Sequence, residues 1–391
     1  MEQTRKMTDR TIGLLAAVLA ICMISGCRSH GSRTDAYGKA IYVPEYASGF
    51  EIAGKDGCRS TIIRTLAAWQ GTDSTAISEL FIARGGERPP EGFAGQTITG
   101  HASRITAMSS SYIGLLSCID ACDSVTAISG KQFISDETVR DRIDDIIEAG
   151  SDADPDYEAL LNAGTDLVLI YGIASSSPME KKLKTLGIPY LYMGEYLETD
   201  PLGRAEWMVV LAEIIGDRKR GEQAFREICR RYDSLKTVAA GLAAMHMRPT
   251  VMLNAPYGDS WYMASPVSPV ARMIDDAGGK YAYDAHKTNR SVPVSREEAF
   301  VLASGADIWL DTGSIGSIDE LKRACPGFAA VKCVREGKVY NNDARMSQGG
   351  GSEFWETSPA RPDMVLEDLI RIFYYPMDGD KEELHYYRRL E

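Results

Sequence analysis

The sequence predicts an α/β protein of two lobes, each on a parallel sheet, joined by one long helix. Three observations predict it. From "RITAMSSS" onward, short apolar strands alternate with helices, the pattern of strand–helix–strand units. The alternation stops between Gly203 and Ala244, where helix-forming residues run almost without interruption, and resumes after Pro249. Finally, "AGTDLVLIYG" (163–172) and "SGADIWLDTG" (304–313) echo each other: a helix end with Gly, then Asp, then an apolar strand ending in Gly. One such junction flanks each side of the long helix, as a duplicated lobe requires.

In the first lobe, Ile105–Met108 and Val125–Ser129 read as strands and Tyr112–Ala121 as a helix between them. "DPDYEALLNAG" places Asp154 at an N-cap, Pro155 in the first turn and Gly164 at the end. "DLVLIYG" is apolar on both faces, as a covered parallel strand must be. A helix over Met179–Leu186 and the strand "PYLYMG" follow. Helices are expected over Gly203–Ile215 and Lys219–Ala244, the latter with Phe225, Ile228, Cys229, Tyr232 and Leu235 at helical spacing. The second lobe reads as the strand "TVMLN", helices at Pro269–Ala277 and Arg296–Ser304, the strand in "DIWLDTG" and a helix at Pro362–Phe373. Upstream of the lobes, residues 60–84 alternate on either side of Gly71-Thr72-Asp73-Ser74, the signature of a β-hairpin.

The N-terminus has a different character. Arg5, Lys6 and Arg10 precede the apolar run "TIGLLAAVLAICMISG", and small residues close it, which is the layout of a secretory signal. The run falls short of the roughly 20 residues that span a bilayer. "ISGC" resembles the lipobox of bacterial lipoproteins, which implies cleavage before Cys27, acylation of its thiol and attachment to a membrane. "RSHGSRTDAYGK" behind it has a tether's polar composition. Arg28, with no acidic run after it, points to the periplasmic side. The expected divisions are a signal peptide (1–26), a lipid-anchored tether and N-terminal segment (27–59), a β-hairpin extension (60–100), an N-terminal lobe (101–216), a connecting helix (217–247), a C-terminal lobe (248–376) and a tail (377–391).

Composition narrows the function. Residues 1–26 hold three basic and two acidic groups; without them, 40 Lys and Arg stand against 53 Asp and Glu. Such an acidic surface argues against nucleic acid, whose phosphates need clustered cations. Of eight cysteines, six lie beyond Cys27: Cys58, Cys118, Cys122, Cys229, Cys325 and Cys333. Export permits disulfides, but six thiols can pair in 15 ways, and buried free thiols are the plainer expectation. With no Cys-x-x-Cys spacing and no neighbouring His, a zinc site is not expected.

In open α/β sheets, ligands sit beyond the carboxyl ends of the strands. Those loops contain Ser110, Tyr112, Lys131, Phe133, Tyr171 and Tyr196 in the first lobe. In the second they contain Tyr257, Trp261, Tyr262, Arg345, Phe354 and Trp355. Aromatic faces bury large area at small entropic cost and suit a bulky planar ligand. Gly349-Gly350-Gly351 provides a flexible loop or a close backbone approach.

The residues that carry a wider resemblance are "DPDYEALLNAGTDLVLIYG" (154–172), "LGIPYLYMGEY" (186–196), "PLGRAEWMVVLAEIIG" (201–216), "EEAFVLASGADIWL" (297–310) and "FWETSPARPDMVLEDL" (354–369). They resemble the iron-siderophore/cobalamin class of substrate-binding lipoproteins of ABC importers over roughly residues 100–375. The resemblance implies two Rossmann-like lobes around one rigid helix, the class III periplasmic-binding-protein architecture. It implies an iron or cobalt chelate in the interlobe cleft, with no catalytic cofactor. The chelate would be a ferric siderophore or a corrinoid ahead of haem. A monomer that delivers its ligand to an ABC permease is expected. In that family each lobe offers a carboxylate to the permease; Glu180 is the nearest match in lobe one, whereas "MASPVSPVARM" in lobe two holds no carboxylate.

Two other readings compete. Gly258-Asp259-Ser260 matches the sequence around the nucleophile of one esterase family, which would make Ser260 catalytic in a lipid-anchored hydrolase. However, a serine nucleophile needs a positioned base, and neither Asp-x-x-His nor Gly-x-Ser-x-Gly occurs. A free-metal binder needs several His with carboxylates, and of five histidines only His101 and His286 are placed to approach a cleft. A non-enzymatic binding protein is the expectation.

Overall fold

The computed structural model describes residues 37–71, 78–173, 175–258, 260–288, 290–375 and 383–391. Its first sheet joins β1 (Lys39–Tyr42), β2 (Phe50–Gly54), β3 (Thr61–Thr65), β4 (Ser78–Ala83) and β5 (Gln96–Thr99) in that order. β3 and β4 pair antiparallel, Thr61 opposite Ile82 and Thr65 opposite Ser78. The expected hairpin is therefore the centre of a larger sheet, with β5 added parallel to β4. β1 and β2 come from the expected tether and N-terminal segment (27–59). Of the expected turn, residues 72–74 lie outside the described residues. Alternation decides the faces: Ile52, Ile63, Leu80 and Ile82 join the core of the first lobe, while Ile62 and Phe81 pack with Tyr37 on the other side.

Three buried glutamates hold this sheet in place. Glu206 accepts the Tyr42 hydroxyl at 2.6 Å and the backbone N–H groups of Glu45, Tyr46 and Ala47 at 2.7, 2.8 and 2.6 Å. Glu198 accepts the N–H groups of Ser48 and Gly49 and the Trp207 indole N–H. Glu213 accepts the Thr61 hydroxyl at 2.7 Å and pairs with Arg84 and Arg218. A carboxylate can be buried when donors converge on it like this.

The first lobe contains β6 (Ile105–Ala107), β7 (Val125–Ile128), β8 (Ile147–Glu148), β9 (Leu167–Ile170) and β10 (Tyr190–Tyr192), ordered β10-β9-β6-β7-β8 with every pairing parallel. All four residues of β9 are buried, as its unbroken apolar run requires. The helix ahead of β9 spans Tyr157–Asn162, and Asp156, not Asp154, caps it by accepting from Ala159 N–H. The apolar stretch Pro201–Ile214 divides into two helices, Pro201–Glu206 and Met208–Ile214. The connector helix runs from Arg218 to Met245, capped by Asp217, and buries Phe225, Ile228, Tyr232 and Ala239.

The second lobe holds β11 (Thr250–Leu253), β12 (Pro256–Tyr257), β13 (Ser260–Met263), β14 (Lys280–Tyr281), β15 (Val292–Val294), β16 (Ile308–Leu310), β17 (Val339–Asn341) and β18 (Arg388–Arg389). Its main sheet is ordered β14-β11-β16-β17-β18, with a small antiparallel sheet β12-β13-β15 alongside. The expected C-terminal tail thus returns as β18, antiparallel to β17. Asp368 steers it there by accepting the N–H groups of His385, Tyr386 and Tyr387 at 2.9, 2.7 and 3.3 Å.

The chain crosses between the lobes a second time. After β17, residues 346–361 reach the first lobe, where their helix Glu353–Thr357 packs on the helix Ser110–Ser117. Glu356 accepts Ser135 and Asp136 N–H at 2.7 and 2.8 Å, and the Ser347 hydroxyl donates to Gln132 O at 3.1 Å. Gly349 and Gly351 permit this contact, since a Cβ there would lie 2.3 and 2.1 Å from the carbonyl oxygens of Gln132 and Phe133. The glycine run thus serves close backbone approach.

Candidate functional site

A cavity of about 610 Å³ opens at the carboxyl ends of β11, β16 and β17. The second lobe supplies Asn254–Tyr257, Asp311–Ile315 and Asn342–Asp343, the crossing segment supplies Met346, Phe354 and Trp355, and the first lobe supplies Pro201 and Arg204. Its aromatic rim is open: Tyr257 is 81 % exposed, Trp355 63 % and Tyr262 45 %. Phe354 is buried beneath Trp355 and packs edge-on against Tyr386 and Tyr387.

Two residues at these strand ends have left-handed backbones, Asn254 (φ 66°) and Asp311 (φ 62°). Asn and Asp tolerate this conformation best among residues with a Cβ, and such strain clusters where a site over-determines the chain. Bonds from Asn254 Nδ2 to Tyr262 O (2.6 Å) and from Trp309 Nε1 to Asn254 O (2.7 Å) hold the first. Burial pushes the Asp311 carboxyl up to about 7, against the opposing pull of Tyr387 and Asn342. From the first lobe, Arg204 is held below its ordinary range by burial, which Glu195 opposes. Glu195 is raised by burial, opposed by Arg204 and by the Ser111 hydroxyl at 2.9 Å.

A family model described as "Periplasmic binding protein" matches residues 105–346, more than half of the chain. The chain belongs to the periplasmic binding protein family. An uncharacterized lipoprotein of Methanocaldococcus jannaschii is 25 % identical over 283 residues, covering 70 % of this chain and 65 % of that one. The chain thus spans just under two thirds of that curated relative. A periplasmic binding protein from Veillonella parvula superposes with a TM-score of 0.56 at 14 % identity, covering 81 % of this chain and 99 % of its own. A periplasmic heme-binding protein from Pseudomonas aeruginosa does so at 0.55 and 17 %, covering 70 % and 93 %. The fold is the class III periplasmic-binding-protein architecture.

In this periplasmic binding protein, four expected site residues converge on the cavity: Tyr257, Tyr262, Phe354 and Trp355. Others do not. Trp261, 0 % exposed, stacks at 5.4 and 5.2 Å from Trp309 and Phe328 and donates to Leu253 O. It is core because alternate residues of β13 face inward, leaving Tyr262 outside. Tyr112 is 1 % exposed and packed inside the first lobe. Lys131 is drawn away from the cavity by the carbonyls of Ile143 and Ile146 at 3.1 and 3.0 Å, and Arg345 by that of His385 at 3.2 Å. Tyr196 donates to Gly172 O, and Tyr171 is half-buried against the core around Ile170. Ser110 opens its helix, and Phe133 is exposed beside the crossing segment; neither lines the cavity.

Glu180 is not a freely presented carboxylate. It accepts from Lys184 at 2.6 Å, Tyr192 at 2.9 Å and Tyr190 at 3.0 Å. Burial works to raise its pKa, but these donors hold it below the ordinary value. The Gly258-Asp259-Ser260 motif has a structural role: Tyr257 pairs with Ser260, and Gly258 (φ 60°) leaves β12 for the hairpin connection to β13. Asp259 and Cys27 lie outside the described residues, and all six cysteines from Cys58 onward are free. The sequence reading did not single out Arg204, Asn254 and Asp311. Their signals were a cation inside an apolar helix and polar residues directly after apolar strands.

Proposed function

We propose that this protein captures a metal chelate of the ferric-siderophore, corrinoid or haem type in the aromatic-rimmed cavity and delivers it to an ABC importer. It acts as a monomer without catalysis, exported and held on the periplasmic side of a membrane by acylated Cys27. The observation that carries the reading is the open rim of Tyr257, Tyr262 and Trp355 over a cavity at the strand ends. Exposed aromatics of this size otherwise carry a cost in water, and a bulky ring system would cover them. Residue groups also favour a chelate over a bare ion: among the described residues, no three His, Cys, Asp or Glu side chains gather as a metal site. The Pseudomonas aeruginosa protein of the same fold binds heme, a ligand of this size class. The test is native purification from the producing cell, followed by absorption spectroscopy and mass spectrometry of the extracted ligand. An iron or cobalt chelate in the wild type, lost from Trp355→Ala, supports the reading; a metal-free ligand overturns it.

A further inference from the structure

Asp311 follows directly on β16 and forms part of the cavity wall. Its Oδ1 is buried and has no partner at full hydrogen-bond geometry, although the Tyr387 hydroxyl and the Asn342 side chain lie beside the carboxyl, and the residue forms no ion pair among the described residues. The only described Arg or Lys in the cavity lining is Arg204. Its Nε is likewise buried without a partner, and its charge is offset by buried Glu195. Asp343 also lines the cavity, but Arg388 neutralises it at 2.7 Å. Of the cations in the strand-end loops, Lys131 and Arg345 are committed to backbone carbonyls elsewhere. The fixed charge of the wall is therefore balanced or negative, with Asp311 Oδ1 and Arg204 Nε each short of a partner at full hydrogen-bond geometry.

On the reading that this cavity takes a metal chelate, we propose that it selects one with no net negative charge and an amide-bearing rim, through Asp311 and Arg204. An amide N–H meets the Asp311 carboxyl, and an amide carbonyl meets the Arg204 guanidinium. Above the pH at which Asp311 loses its proton, where the titration is run, a carboxylate rim offers acceptors only; it would leave Asp311 unpaired and set like charges together in a partly desolvated wall. Asp311 and Arg204 are then specificity-determining residues contributed by different lobes, so a suitable rim bridges the cleft.

The experiment is a fluorescence titration of the purified full-length protein with four probes. Cyanocobalamin and ferrioxamine B carry amides and no net negative charge; ferric citrate and haemin carry carboxylates. An amide-bearing probe is expected to bind at least about tenfold more tightly than either carboxylate probe. Asp311→Asn keeps the size and the left-handed backbone, and should narrow that gap about tenfold. Thermal unfolding of the variant verifies its fold, and the wild-type ranking tests the proposal without any variant. A carboxylate probe that binds as tightly as the amide-bearing ones overturns the charge selection while leaving chelate capture standing. An unchanged gap in folded Asp311→Asn removes Asp311 from the selection. Failure of all four probes, with no metal chelate in the natively purified protein, overturns chelate capture and this inference together.

Discussion

Glu206→Ala should loosen the N-terminal sheet from the first lobe. The wild-type carboxylate, fully buried, accepts one phenol and three consecutive backbone N–H groups. Hydrogen bonds to a charged group contribute about 1.5–3 kcal/mol each, so a bare sum over the four would approach 10 kcal/mol. That sum overshoots, because truncation also relieves the desolvation of the carboxylate and admits water to the donors. A buried donor left unsatisfied costs about 1–3 kcal/mol, and with water reaching some of the four a net loss of about 3–5 kcal/mol is expected. The first lobe with its sheet is a unit of the size for which 1 kcal/mol moves Tm by about 2–4 °C. A fall of about 6–20 °C in its transition is therefore expected by scanning calorimetry, with faster amide exchange across β1 and β2. A fall under about 2 °C, with exchange in β1 and β2 unchanged, would refute the reasoning. Apolar packing of Phe50, Ile52 and Ile63 would then hold the sheet, and the carboxylate would be incidental.

Trp261→Ala should cost about 3–5 kcal/mol of stability, as a large core truncation does, and appear as a reduced urea midpoint in the ligand-free protein. Asp311 titrates at about 7 when folded, above its ordinary value of about 3.9. The folded state therefore holds the proton more tightly, and this group's contribution is lost as pH rises from about 4 through 7. Asp311→Asn should gain stability relative to wild type between about pH 5 and pH 8, measured as the difference in urea midpoints; a constant difference would contradict the shift. Cys27→Ala should abolish incorporation of a labelled acyl precursor and release the protein from membranes or leave it uncleaved.

Periodicity carried most of the fold. Four residues of "DLVLIYG" form β9 because no polar face interrupts them, and the helices at Met179–Leu186 and Arg296–Ser304 have the expected ends. Long-range donors were not legible. Nothing local to "EYASG" (45–49) announces that Glu198 and Glu206, 149 to 161 residues away, will gather its amides. The site was legible by loop but not by residue. The loops containing Tyr257 and Trp355 line the cavity, yet Trp261 and Tyr262, adjacent in sequence, have opposite fates. The pairing of β13 with β12 and β15 decides which one enters the core. Arg204 escaped because its helix reads as continuous apolar core.

The second crossing has a mechanical consequence. Two bodies tied at separated places keep one easy freedom, a swing about the line through both ties. The ties here are the connector helix and the segment that Glu356 fastens to the backbone of Ser135 and Asp136. Opening is then a door's motion, with twisting between the lobes resisted. The aromatic rim is divided along the same line: Tyr257 and Tyr262 belong to the small sheet of the second lobe, while Trp355 sits on a helix fastened both to the first-lobe helix Ser110–Ser117 and to His385 and Tyr386 of the second lobe. A swing would then change the spacing between the two tyrosines and the Trp355 helix without breaking a strand pairing.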